Sequence, residues 1–225
     1  MFHDRNFTSS SELAGQLAQI LQPDVSHSKD PLKPLTGLET GQFLAKGKDI
    51  PPNTYRMLLA YLHSIGQIEW KSHKEMPHLD DELALPPTAR MPSEFKHDGH
   101  TFSCKMSHEG NSAIQFKHPT NPTAVLTGYI NEIWQIPLQS YVQTFMVVEK
   151  HTVIPQYLVQ QTPYPSMPYF YTTVVDANPS GEFMIIEPEH ILTHLTVYKR
   201  PKGTYGIEYR DLLIICWALN RSRRT

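Results

Sequence analysis

Apolar residues along this chain recur with a helical period in the first part and with a strand-like period in the second. In "FTSSSELAGQLAQILQP" (7–23), Leu13, Leu17, Ile20 and Leu21 fall on one stripe. Ser9 and Glu12 have capping-box spacing, and Pro23 ends the run. Residues 23–50 show no clear period. "PPNTYRMLLAYLHSIG" predicts a firmer helix: proline in the first turn, Tyr55, Leu58, Leu59, Leu62 and Ile65 at helical spacing, and Gly66 as the stop.

The segment 71–95, "KSHKEMPHLDDELALPPTARMPSEF", is polar and proline-bearing and reads as a linker or an extended strap. Strand-like runs follow it. "HTFSCKM" alternates, and "HEGNSAIQF" places a turn at Gly110-Asn111 before a short strand. The runs 124–136 and 141–151 bracket Pro137-Leu138-Gln139-Ser140 as a hairpin or meander pair. "YFYTTVVDA", "EFMIIEP", "THLTVYK" and "LLIICWAL" complete the series. Short strands separated by Pro or Gly predict an antiparallel small β-barrel or sandwich. The expected fold class is therefore α+β. It comprises a helical N-terminal region (1–70), a proline-bearing polar linker (71–95) and a β-barrel-like domain (96–225).

Composition narrows the function. Of 225 residues, 40% are hydrophobic, enough for a real core. Charged residues make up 19% and the formal net charge is -2, so no global basic field exists to hold a nucleic-acid backbone. The 19 prolines against 11 glycines predict short, interrupted elements. Cys104 and Cys216 make neither a disulfide framework nor a cysteine-based zinc site. The first residues lack the apolar core of a signal peptide, and "DLLIICWALN" is too short to span a bilayer. The expectation is a soluble protein of the cytoplasm or nucleus, with no membrane partner.

The sharpest chemical candidate is "EPEHILTHL" (187–195). If it is helical, His190 and His194 share a face, and Glu187 or a histidine from 97–118 could serve as a third metal ligand. The metalloprotease form is H-E-x-x-H, whereas here the carboxylate of Glu189 lies outside the histidine pair. The favoured reading is a structural turn whose Ile191 and Leu195 fill the core. In "HDGH", Asp98-Gly99 is a hairpin-turn dipeptide that leaves His97 and His100 on its flanks, apart or exposed. No nucleophile elbow, P-loop or dinucleotide fingerprint occurs. Cys104 has Lys105 beside it, but strand neighbours point to opposite faces, which favours a buried structural thiol. No catalytic residue and no cofactor are expected.

Two features point to binding instead. Lys199, Arg200 and Lys202 in "YKRPKG", with Arg221, Arg223 and Arg224 in "NRSRRT", form a basic patch if the two segments meet. Tyr164, Tyr169, Phe170 and Tyr171 in "PYPSMPYFYTT" form a proline-aromatic cluster, which closes one end of a barrel or lines a ligand groove.

From residue 85 onward the order of motifs carries a resemblance. "G-x-I-x-x-I-W" (128–134), "F-x-V-V" (145–148), "I-x-P-x-H-I-x-x-H-L" (186–195) and "L-N-R-x-R-R" (219–224) follow one another. With the strings around them, they resemble the C-terminal region of proteins encoded by mushroom cut-and-paste DNA transposons of the CACTA or Plavaka kind. The match covers about residues 50–225. It implies a small β-barrel, somewhat like a bromo-adjacent-homology module, following a transposase core whose acidic metal ligands lie upstream. It implies no catalysis here and no catalytic role for His190 or His194, and it makes the chain a domesticated fragment or a gene remnant. The expected function is a non-enzymatic binding or accessory module contacting protein or chromatin. The alternative is a metal-dependent or small-molecule enzyme using His190 and His194, for example an accessory protein of a biosynthetic gene cluster.

Overall fold

The computed structural model describes residues 37–75, 83–139, 141–167 and 171–217. All of them fall within one unit of the chain, 34–225. The helix expected over residues 7–23 lies outside the described residues. Helix α1 (Gly37–Leu44) and the two-residue strand β1 (Lys48–Asp49) occupy a stretch whose sequence shows no period.

Helix α2 (Pro52–Ser64) forms as expected. Pro52 takes a first-turn position, where a missing N–H costs nothing. Tyr55, Leu58, Tyr61 and Leu62 are spaced to bury one stripe. The helix ends because Gly66 adopts φ +89°, a conformation that carries almost no penalty in glycine. Its N–H then reaches the His63 carbonyl, and the Gln67 N–H returns to the Leu62 carbonyl at 3.0 Å.

Two pairs of short strands follow. The parallel pair is β2 (Trp70–Ser72) with β3 (Leu83–Leu85), and β4 (Thr88–Ala89) pairs with β1. Next come β5 (Glu94–His97) and β6 (His100–Ser103), joined by Asp98 (φ 47°) and Gly99 (φ 73°). Both central residues lie at positive φ, as a tight hairpin turn of this kind requires. The remaining strands are β7 (Ala113–His118), β8 (Asn121–Leu138), β9 (Tyr141–Lys150), β10 (Thr172–Asp176), β11 (Phe183–Ile186), β12 (Ile191–Arg200) and β13 (Leu212–Trp217). They make one antiparallel sheet of order β10-β13-β12-β7-β8-β9-β11. The expected β8–β9 hairpin forms within it, between β7 and the edge strand β11.

The sheet is antiparallel as expected but is not closed into a barrel, because its ladder is open at β10 and β11. It is nevertheless curled. The two edge strands are joined by residues 177–182 alone. Seven peptide steps reach at most ~25 Å, less than the ~29 Å across seven flat strands. Beyond β9, one antiparallel bridge, Val153↔Val175, and the bond from Asp176 N–H to the Thr152 carbonyl bring the chain to β10. Pro155, which has no N–H to donate, follows at once, and a short helix α3 (Gln156–Val159) begins. Closure therefore stops at a single bridge.

Both faces of the curled sheet are buried, which is why "FMVV", "FMII" and "LLIIC" are continuous apolar runs without alternation. On one face Trp134, Ile136, Phe145, Val147 and Ile185 pack against Tyr55, Leu58 and Leu62 of α2 and against Trp70, Leu85 and Ala89. On the opposite face Ile114, Phe116, Ile130, Met146 and Ile186 lie under Phe102 of the β5–β6 hairpin. Farther along that face, Val174, Leu212 and Ile214 lie under Leu158 of α3 and Ile207. Of the segment read as a linker or strap, residues 83–90 are laid on the sheet. Leu85 and Ala89 are fully buried, and Arg90 exchanges backbone hydrogen bonds with Gln135 at 3.1 and 2.8 Å. Helix α2 and the sheet thus share one core across the expected boundary.

Candidate binding surface

The histidine stretch does not assemble a site. Pro188–His190 makes one 3-10 turn, and β12 starts at Ile191, so His190 and His194 never share a helical face. Glu187 caps that turn: its carboxylate accepts the backbone N–H of His190 and, through Oε1, the hydroxyl of Tyr61 at 2.7 Å. The His190 ring is turned inward too, with Nδ1 accepting the Glu187 N–H at 3.2 Å. His194 stacks on Phe102 with ring centroids 4.1 Å apart, and His100 meets it edge-on at 5.8 Å. Burial and the neighbouring His100 push the His194 pKa down, which keeps the ring neutral. His97 and His100 are cross-strand partners, so they share a face rather than pointing apart. Among the described residues no group of three His, Cys, Asp or Glu side chains is placed to hold a metal ion.

Cys104 lies just past β6, buried, with its thiol pushed up first by burial. Lys105 turns away from it and sits over the ring of Tyr129, 4.1 Å from the centroid. That tyrosine meets His151 edge-on at 4.8 Å. Lys105, Tyr129, Glu149, His151 and Asp176 line a cavity of about 10 Å³, room for one water and no larger ligand.

The aromatic and basic candidates do converge in part. Tyr164 lies in the 3-10 turn Tyr164–Ser166, and its hydroxyl is 3.0 Å from that of Tyr205. The two rings meet edge-on at 6.1 Å. Arg200, at the end of β12, lies over the ring of Tyr198, 4.4 Å from its centroid, and is an electrostatic neighbour of the hydroxyls of Tyr205 and Tyr164. Burial, then the Tyr205 hydroxyl, pushes the Tyr164 pKa up to about 12, with Arg200 pulling the other way. At Arg200 burial lowers the pKa, and the tyrosine oxygens outweigh it to raise the pKa.

The local reason for this convergence is the turn "KGTYG". Gly203 (φ 83°) and Gly206 (φ 75°) flank Tyr205, which itself sits at φ 60° and ψ 23°. A left-handed tyrosine carries backbone strain of roughly 1–3 kcal/mol. Here it aims the ring at Tyr164. Tyr198 is 56% exposed, so the assembly opens to solvent. Tyr157 and Tyr209 are also exposed.

The other cations differ from Arg200. Lys199 pairs with Asp211 at 3.1 Å and holds that carboxyl below its usual range. The Lys202 backbone N–H bonds the same carboxylate at 3.0 Å. Arg210 pairs with Asp176 at 3.0 Å. Tyr171 is 75% exposed and lies edge-on to Trp217 at 6.1 Å. Tyr169, Phe170, Arg221, Arg223 and Arg224 lie outside the described residues. Sequence reasoning named Tyr164 and Arg200 but passed over Tyr198 and Tyr205. The signal for Tyr205 was a tyrosine set between two glycines.

The geometry defines a curled antiparallel sheet with a tyrosine-rich surface around Arg200 at the β12–β13 end. No protein family, curated protein or solved structure matches the chain. No described helix is long and apolar enough to cross a membrane.

Proposed function

We propose that this chain is a non-enzymatic protein-binding module whose working surface is built on Tyr164, Tyr198, Arg200 and Tyr205. The observation that carries the reading is the strained Tyr205 turn. Strain persists where surrounding structure enforces it, and here it orders two tyrosines and an arginine at the solvent boundary. Tyrosine and arginine are the side chains that most often anchor protein interfaces, since they give large contact area with few rotamers to freeze.

A nucleic-acid partner fits less well. Affinity for a phosphate backbone grows with the number of cations free to neutralise it. Lys199 and Arg210 are already paired with Asp211 and Asp176. The resemblance to mushroom transposon proteins supports a transposon-derived origin for the module and is independent of the surface.

Panning a random peptide-display library on the intact chain tests the reading. The expected result is enriched sequences that bind the wild type and lose binding to Tyr198→Ala. Failure to enrich any sequence overturns the proposal. So does tight binding of a 20-base-pair duplex that falls steeply with salt.

A further inference from the structure

The surface contains a cation whose charge nothing in the described protein answers. Arg200 presents a planar fork of donors. It lies over the Tyr198 ring face, and its other electrostatic neighbours are the hydroxyls of Tyr164 and Tyr205, all neutral. Its Nε has no acceptor among the protein atoms. Asp211 is held by Lys199 and by the Lys202 backbone, and Glu208 faces Gly203. Among the described residues no carboxylate pairs with Arg200.

We propose that Arg200, with the hydroxyls of Tyr164 and Tyr205, is a receptor for one carboxylate, supplied by a Glu or Asp side chain of a partner peptide. The inference rests on the protein-binding reading and adds the chemistry of its central contact. A guanidinium fork matches the two oxygens of a carboxylate, and hydroxyl groups beside it can turn their hydrogens toward the same anion. The Tyr198 ring beneath fixes the plane of the fork and shields one side from water. Lys199 and Arg210 are already paired with carboxylates, which leaves the Arg200 fork free to meet one anion. A single acidic side chain fits that fork better than a run of phosphates.

The test is an NMR titration of the intact chain with four probes. These are amidated hexapeptide pools with a fixed central Glu, the same pools with Gln, inorganic phosphate, and a 20-base-pair DNA duplex. Signals to follow are the Arg200 Nε–H and the backbone amides of residues 203–206. The Glu pool is expected to shift them saturably and the Gln pool roughly tenfold more weakly, the discrimination of one charge-assisted contact. Arg200→Lys, which keeps the charge but loses the fork, is expected to weaken the Glu pool similarly, while Lys202→Gln leaves it unchanged. Equal binding of Glu and Gln pools sinks the carboxylate receptor and leaves the protein-binding surface standing. No shift with either pool removes both. Stronger shifts with phosphate or the duplex than with the Glu pool overturn the carboxylate assignment in favour of a phosphate ligand.

Discussion

The Tyr61 hydroxyl donates to Glu187 Oε1 over 2.7 Å, joining residues 126 positions apart. The bond ties α2 to the cap of the turn that follows β11. Burial first, and then this bond, hold the tyrosine far above its usual pKa, so it stays a donor throughout the working range. Tyr61→Phe keeps the ring and its edge-on contact with Phe145 but strips the carboxylate of a donor. The expected loss is about 1–2 kcal/mol in a urea titration, with an unchanged slope.

Leu58 is fully buried between α2 and the sheet. Leu58→Ala is expected to cost roughly 2–5 kcal/mol. Because one cluster joins helix and sheet, amide exchange should accelerate in β8 and β9 as well as in α2. Protection kept in β8 and β9 while α2 opens would show that the helix is a separate unit.

His151 makes the fold acid-sensitive. Its Nδ1 lies 3.0 Å from Thr127 Oγ1, its Nε2 is buried without a protein partner, and burial, then Lys105, push its pKa from 6.5 down to about 4. Glu149 and Asp176 share its cavity with Lys105. The unfolded chain binds the proton more readily, so stability is full above pH 6.5 and falls as the pH drops toward 4. The loss is on the order of 2–3 kcal/mol, and His194 shifts in the same direction. In His151→Leu this part of the pH dependence disappears. A stability difference between wild type and variant that stays constant from pH 7 to pH 4 would falsify the assignment.

Tyr205 separates binding from folding. Tyr205→Gly removes the left-handed strain and also the ring that bonds Tyr164. The melting temperature is expected to hold or rise, since strain of about 1 kcal/mol or more is released. Affinity for peptides selected on the wild type falls roughly tenfold. A variant with lower stability and intact binding would make the turn a structural feature only.

The candidate surface was half legible from the chain. Tyr164 and Arg200 stand out as an aromatic in a proline cluster and a cation in a basic run. Their meeting with Tyr205 was not legible, because it joins segments 41 positions apart through a turn whose geometry no periodicity encodes. The basic run also read as one patch. Only the register of β12 on β13 decides that Lys199 meets Asp211 and leaves Arg200 to the tyrosines.

What the sequence determined alone is local: the stripe and stops of α2, the β8–β9 hairpin, the Asp98-Gly99 turn, and the strand positions. Each depends on spacing within a dozen residues or on a backbone conformation only some residues tolerate. Tertiary structure decided the rest. The sheet stays open because a lone bridge at Val153↔Val175 is followed by Pro155. Residues 83–90 lie on the core because apolar faces from distant strands are there to receive Leu85 and Ala89. His190 and His194 part because the chain turns from a 3-10 turn into a strand between them. Those outcomes depend on which distant surfaces are free to pair, and that is a property of the folded chain.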